Sequence, residues 1–270
     1  MEIVCPAWCP GAENLTDALK TLADQGVTAV ELCTSYPRFG INYPDYFDHR
    51  NAFEIDMMLA QLKSSGIRVN SVHAPFGVNC DISSPCDEVH ERGVDALIES
   101  IELATVVDAK IIVLHASDAL ADGISKRLDR ARGVLREVSV VAEESGVVLA
   151  LENLPPGYLG HTPEEIKLLI EGARPGAVGV CFDSGHANLT GRFTEFAEML
   201  IPYAVEVHVH DNDGMRDQHK FPGEGTISWK AFAEIYHRRA EGPCIMLECI
   251  PPAGLIWGAA FRRFRNVLEE

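Results

Sequence analysis

The sequence predicts a single-domain (β/α)8 barrel over residues 1–270, with a metal site at its mouth. Short apolar runs alternate with helical-period segments from one end of the chain to the other. Seven of the eight runs also end at or beside a metal-ligand or acid/base residue. No stretch is rich enough in Pro, Gly or Ser to serve as a linker. In such a barrel the carboxyl ends of the strands converge on one face, so residues far apart in sequence meet there. Buried charge is costly unless paired or bound to a cation, so packing alone does not account for several such endings in register.

The first run, Glu2–Cys5, ends in a Cys-Pro step and precedes a helical segment over Leu15–Gln25. Val27–Leu32 carries Glu31 and leads to a helix over Glu54–Ser65, and Ile67–His73 leads to one over Val89–Val107. Lys110–His115 is followed by Lys126–Glu144, and Val147–Glu152 by Pro163–Glu171, where Thr162 is placed to cap and Pro163 occupies the first helical position. Val178–Asp183, Ala204–His210 and Pro243–Glu248 precede helices over Phe193–Ile201, Trp229–Arg239 and Phe261–Leu268. Each strand is thus expected to be followed by one helix. Gly26, Gly66 and Gly146 stand just past helix ends, as C-terminal caps do. The long irregular stretches, Thr34–Asn51, Gly77–Glu88 and Asp211–Ser228, all follow strands and belong to the mouth.

Composition narrows the functional class. With 47% hydrophobic residues the chain can bury a sizeable core, and no apolar run approaches 20 residues, which argues against a membrane span. Met1-Glu2-Ile3-Val4 lacks the basic start of a secretion signal, so a cytoplasmic location is expected. The eight cysteines are scattered, with no CxxC pair, and read as reduced thiols. A net charge of −17 disfavours nucleic acid as a partner.

Glu152, Asp183, His210 and Glu248 end the fifth to eighth strands. Three carboxylates and an imidazole suit one Mn²⁺, Mg²⁺, Co²⁺ or Zn²⁺, and crowded carboxylates repel unless a cation holds them. Around them stand His73, His115, His186 and the Asp217-Gln218-His219 triplet, read as substrate-binding groups or further metal ligands. Asp183 is also placed to cap the helix after it. His208 points into the same interior but deeper, and reads as a satisfied core histidine.

The succession His-Ala-Pro-Phe, Leu-Glu-Asn, Asp-Ser-Gly-His-Ala, His-Asp-Asn-Asp, His-Lys-Phe-Pro-Gly-Glu-Gly-Thr-Ile-Ser-Trp and Leu-Glu-Cys resembles the xylose-isomerase-like TIM-barrel superfamily over nearly the whole chain. Members include sugar and sugar-phosphate isomerases or epimerases, dehydratases of inososes and dehydroshikimate, and endonuclease IV. The epimerase-like resemblance implies metal binding by Glu152, Asp183, His210 and Glu248, with Glu152 and Glu248 as the catalytic acid/base pair and His186 holding a substrate oxygen. Endonuclease IV uses nine ligands for three zinc ions, and each has a counterpart here: His73, His115, Glu152, Asp183, His186, His210, Asp217, His219 and Glu248. The chain departs from that branch in three ways. Gly185 stands where its motif has Cys, only three residues separate Asp213 from Asp217, and the net charge is acidic.

The function expected from the sequence is therefore a divalent-metal-dependent isomerase or epimerase of a small sugar, sugar phosphate or inositol-derived ketone, with no organic cofactor. A zinc phosphodiesterase acting on abasic DNA, a dehydratase of a related polyol ketone, and a barrel without catalysis are the alternatives. Arg216 and His219 are expected to bind substrate oxygens, with Trp8, Phe76 or Trp229 as an apolar wall. A homo-oligomer is common among such relatives.

Overall fold

The computed structural model describes residues 1–7, 12–33, 49–117, 124–249 and 251–269. Its eight strands, β1 (Ile3–Pro6), β2 (Ala29–Cys33), β3 (Arg68–His73), β4 (Ile111–Leu114), β5 (Val148–Glu152), β6 (Val178–Asp183), β7 (Ala204–Val209) and β8 (Cys244–Leu247), form a closed barrel in sequence order. All pairings are parallel, and β1 closes on β8 through Ile3–Ile245 and Val4–Met246. The predicted (β/α)8 barrel is the observed fold.

The helices that wrap it are α1 (Leu15–Asp24), α2 (Ala52–Ser65), α3 (Asp87–Val106), α4 (Ile124–Ser145), α5 (Pro163–Ile170), α6 (Ser184–Leu189), α7 (Phe193–Leu200), α8 (Trp229–Tyr236) and α9 (Trp257–Glu269). Their caps follow from the sequence. The Thr162 side chain accepts from Glu165 N with Pro163 in the first turn, and Gly66 ends α2 in a left-handed conformation at φ 70°. Four helices, α2, α3, α4 and α9, begin earlier than periodicity predicts, and for two of them the cap gives the reason. Asn51 caps α2 by accepting from Phe53 N, and the Gln25 side chain accepts from Trp257 N to start α9.

The expectation of one helix per strand fails after β6, where α6 precedes α7. Its six residues, Ser-Gly-His-Ala-Asn-Leu, carry no apolar period, and it forms because Asp183 accepts from His186 N at 2.6 Å.

The main core lies between barrel and helices, where alternate strand residues such as Val30, Leu32, Val72, Ile112, Leu114 and Phe182 meet Leu19, Leu22, Leu135 and Phe264. Inside the barrel the apolar packing is small: Val4, Ala29 and Met246 form one cluster, and Val113, Ala150 and Cys181 another. The rest of the interior is polar, with Glu31, Ser71, Glu152, Asp183, Glu206 and His208 all buried. Register shifts at Val30/Glu31 and Val180/Cys181 re-aim the residues beyond them. The seven described cysteines are free thiols. Among the described residues no helix is long and apolar enough to cross a membrane.

Candidate metal centre

Glu152, the last residue of β5, lies at the middle of the cluster. Its Oε2 is 3.4 Å from His73 Nε2 and 3.4 Å from His115 Nε2, and its Oε1 is 3.3 Å from His186 Nδ1. Asn153 braces the strand ends by donating to Asp183 O at 3.0 Å and accepting from Asp183 N at 2.8 Å. Ser184 clamps the next strand, donating to His210 O at 2.8 Å and accepting from His210 N at 3.0 Å. His210 Nε2 then lies 3.1 Å from Asp183 Oδ2.

The loop after β7 supplies a third group. Asp211 accepts from Gly223 N, Ile227 N and the Trp229 indole at 2.9, 3.2 and 2.9 Å, and its backbone pairs with Lys220. That anchor brings Asp217 and His219 over the mouth. Asp217 Oδ2 is 3.4 Å from His186 Nε2 and 3.1 Å from His219 Nε2. His219 takes the left-handed backbone at φ 45°, a conformation costly for a residue with a Cβ.

The imidazoles are oriented from behind. His73 Nδ1–H donates to Ala74 O at 2.8 Å, His186 Nδ1–H to Asn153 O at 2.9 Å, and His219 Nδ1–H to Glu248 O at 2.9 Å. A backbone carbonyl that takes one ring N–H leaves the other nitrogen as a lone pair, as metal-binding histidines require. In all three rings this leaves Nε2 facing a carboxylate oxygen, a contact that either a ring proton or a shared cation satisfies.

The donor spacing fits a shared cation. Two ligands about 2.0–2.2 Å from one tetrahedral ion stand about 3.4 Å apart. The Nε2 contacts of His73 and His115 with Glu152 and of His186 with Asp217, each at 3.4 Å, match that separation. They are longer than charge-assisted hydrogen bonds, at about 2.7–2.9 Å. Glu152 Oε2, His210 Nδ1 and Glu248 Oε2 are buried without a hydrogen-bond partner, and such atoms are costly unless something else binds them. The donors fall into overlapping sets that include His73 with His115 and Glu152; Asp183 with His186 and His210; His210 with His219 and Glu248; and Glu152 with Asp183, His208 and Glu248.

Burial alone would push the Glu152 carboxyl up, but the His208 field and contacts from His115, His186 and His73 hold it well below the usual range. Burial likewise disfavours the charged forms of Asp217 and His219. Contacts from His186 and His219 outweigh it at Asp217, which is lowered, and the Asp217 contact raises His219 to about 10.

All nine residues singled out as metal ligands are therefore gathered at one mouth. Phe76 forms a wall over two of them, its ring centroid 5.2 Å from that of His73 and 4.8 Å from that of His115. Trp229 forms no such wall: it is buried beneath the loop with its indole on Asp211. Arg216 stays outside the cluster, exposed and 3.7 Å from Asp213. Trp8 lies outside the described residues. The reading of His208 as a satisfied core histidine holds for one nitrogen only. Nε2 faces Glu31 at 3.3 Å, whereas Nδ1 has no hydrogen-bond partner and looks toward Glu248 and Glu152 at 3.1 and 3.7 Å.

Residues 19–267 match the family described as xylose isomerase-like TIM barrel. An uncharacterised protein of Methanocaldococcus jannaschii is 29% identical over 241 residues, covering 85% of this chain and 76% of that protein. A probable endonuclease 4 of Shouchella clausii is 27% identical over 247 residues, 84% of this chain and 81% of the relative. Among solved structures, a D-tagatose 3-epimerase-like protein superposes with TM-score 0.83 at 25% identity, covering 100% of this chain and 97% of its own.

Proposed function

We propose, from the premise that this chain belongs to the xylose isomerase-like TIM barrel family, that it is a divalent-metal-dependent isomerase or epimerase of a small polyhydroxylated carbonyl compound, sugar or sugar phosphate. The observation that carries the reading is the pair Glu152 and Glu248. Their Oε2 atoms are both buried without a hydrogen-bond partner and lie 3.7 and 3.1 Å from the same His208 nitrogen. The likeness to a D-tagatose 3-epimerase-like protein supports it.

Mn²⁺, Mg²⁺, Co²⁺ or Zn²⁺ held by Glu152, Asp183, His210 and Glu248 would supply Lewis-acid stabilisation of the negative charge that develops on a substrate oxygen. The chain's own residues do the rest. Opposed by burial but held by the surrounding histidines, both glutamates stay well below the usual carboxylate range, so each enters the reaction in the basic form. One removes the proton from the carbon beside the carbonyl and later yields it to solvent, and the other takes a proton from solvent and delivers it to the opposite face or to the adjacent carbon. His186, fixed by Asn153 O, holds a substrate oxygen, and Phe76 shields one side of the mouth. Loss of a hydroxyl after proton removal would give the dehydratase outcome from the same residues.

A second reading, phosphodiester hydrolysis at a three-metal centre, is favoured by the His73–His115–Glu152 set and the Asp217–His219 pair, which a one-metal epimerase does not require. The endonuclease 4 likeness supports it, and the net charge of −17 weighs against a DNA substrate. Incubating metal-loaded protein with ketoses, inososes and their phosphates, and resolving products by chromatography, tests the first reading. A new stereoisomer, isomer or dehydrated ketone supports it. Inertness toward the whole panel, alongside hydrolysis of a phosphodiester, would replace it with the second.

A further inference from the structure

Beneath the centre a line of buried polar side chains crosses the barrel from β3 to β2 and β7. Ser71 Oγ lies 3.0 Å from Glu31 Oε2 and 2.8 Å from Glu206 Oε1, and Asn70 Nδ2 donates to Glu206 at 3.3 Å. Glu31 Oε2 is in turn 3.3 Å from His208 Nε2. All of these side chains are nine-tenths or more buried, Ser71, Glu206 and His208 at 0%.

The polarity of this line is set by counting hydrogens. A hydroxyl has one hydrogen, so Ser71 can bridge two carboxyl groups only if one of them brings its own proton. Burial and the neighbouring Glu31 push the Glu206 carboxyl up to about 8, so Glu206 is the one that brings it. Glu206 then donates to Ser71, and Ser71 donates to Glu31. Glu31 accepts from Ser71 on one side and from the His208 ring on the other. Such a line is weak evidence of a stabilising role, because replacing a whole buried polar group of this kind with well-packed apolar side chains is often neutral or stabilising.

What the line does achieve is orientation. The His208 ring stands on β7, two residues before His210, and its Nδ1 faces Glu248 Oε2 at 3.1 Å. Without a partner on Nε2 the ring loses its hydrogen bond on the side away from the centre, and with it the contact that sets the angle at which Nδ1 meets the buried Glu248 oxygen. We propose that Glu31 is a positioning residue for the metal centre: through His208 it fixes where the Glu248 carboxylate stands. The proposal rests on the metal-centre part of the reading above and is independent of the substrate.

The test is Zn²⁺ affinity, measured by competition with a chromophoric chelator, for wild type, Glu31→Gln, Ser71→Ala, His208→Gln and the Glu31→Gln/His208→Gln double variant. Far-UV circular dichroism and melting of each metal-free protein report folding separately. Glu31→Gln should weaken Zn²⁺ binding by about 10–100-fold, the usual cost of losing a group behind a metal ligand. Ser71→Ala should weaken it in the same direction but less. In the His208→Gln background the Glu31 substitution should cost less than about twofold, because the residue through which it acts is gone. Equal losses in both backgrounds, or Glu31→Gln and Ser71→Ala proteins that bind within twofold of wild type, would overturn the role of Glu31 while leaving the centre in place. Failure of wild type itself to bind Zn²⁺ would remove the centre and the proposal together.

Discussion

The imidazoles of His210 and His219 lie face to face, with ring centroids 3.9 Å apart and planes 6° from parallel. One ring stands just past the end of β7 and the other rides on the loop that Asp211 anchors, so the stack ties the loop to the barrel. The His210 ring also fills the space where a side chain at position 185 would begin, and a Cβ built on Gly185 overlaps it.

Gly185→Ala should therefore displace His210 from Asp183 and from the stack. We expect the variant to fold, because α6 tolerates alanine, but to bind Zn²⁺ at least about tenfold more weakly. Unchanged affinity would mean that His210 does not need its present position to serve the centre.

Metal should stabilise the protein through the same residues. Binding to the folded state alone contributes about 2.7 kcal/mol at a free concentration 100 times the dissociation constant. Melting temperature should rise with added Mn²⁺ or Zn²⁺ in wild type, and the rise should be lost in Asp183→Ala and His210→Ala. A metal-dependent rise of the same size in both variants would place the ion elsewhere.

Glu206 gives a pH signature of its own. A carboxyl raised from an unfolded value of about 4.3 binds its proton more tightly in the folded state. Its contribution is greatest below the unfolded value and is lost as pH rises toward about 8. The groups facing it are Glu31, His208, Ser71 and Asn70, with the Cys181 and Cys244 thiols close enough to feel its charge. Glu206→Gln keeps the shape and removes the titration, so the metal-free variant should melt higher than wild type at pH 9, by at least about 2 °C. The difference should shrink toward pH 4. A difference that is flat from pH 4 to pH 9 would assign that proton elsewhere.

Abasic-site DNA should be cut negligibly at physiological salt, since a chain of net charge −17 opposes a phosphate backbone. Rapid incision by the zinc-loaded protein, abolished in His115→Ala, would instead favour the three-metal hydrolytic reading.

The barrel and most of its mouth were legible because both follow from alternation and from the ends of strands. His73, Glu152 and Asp183 close their strands in the structure as in the sequence, and His115, His210 and Glu248 stand one residue beyond. Less legible was anything set by depth or by a register shift. His208 reads as core because strand alternation gives its direction but not the open side of its ring, and the shift at Val180/Cys181 alters what faces it. Glu31 and Glu206 are single letters in otherwise ordinary strands, and only barrel closure brings them to one serine. Helix α6 escaped because its cap, not its periodicity, makes it. Arg216 looked like a substrate clamp by its place after His210, yet the tight loop held by Asp213 turns it outward.

The central claim is proton transfer by Glu152 and Glu248, and incorporation of solvent deuterium beside a substrate carbonyl tests it most directly. Metal-loaded wild type, incubated in deuterated water with the ketose or inosose it converts, should place label on that carbon. Glu152→Gln and Glu248→Gln keep shape and one ligand oxygen but cannot carry the proton, so turnover should fall at least about 10²-fold in each. The variant that keeps the proton-removing glutamate should still wash label into unconverted substrate, since only the other proton step is blocked. Full turnover with full labelling by both variants would contradict the account.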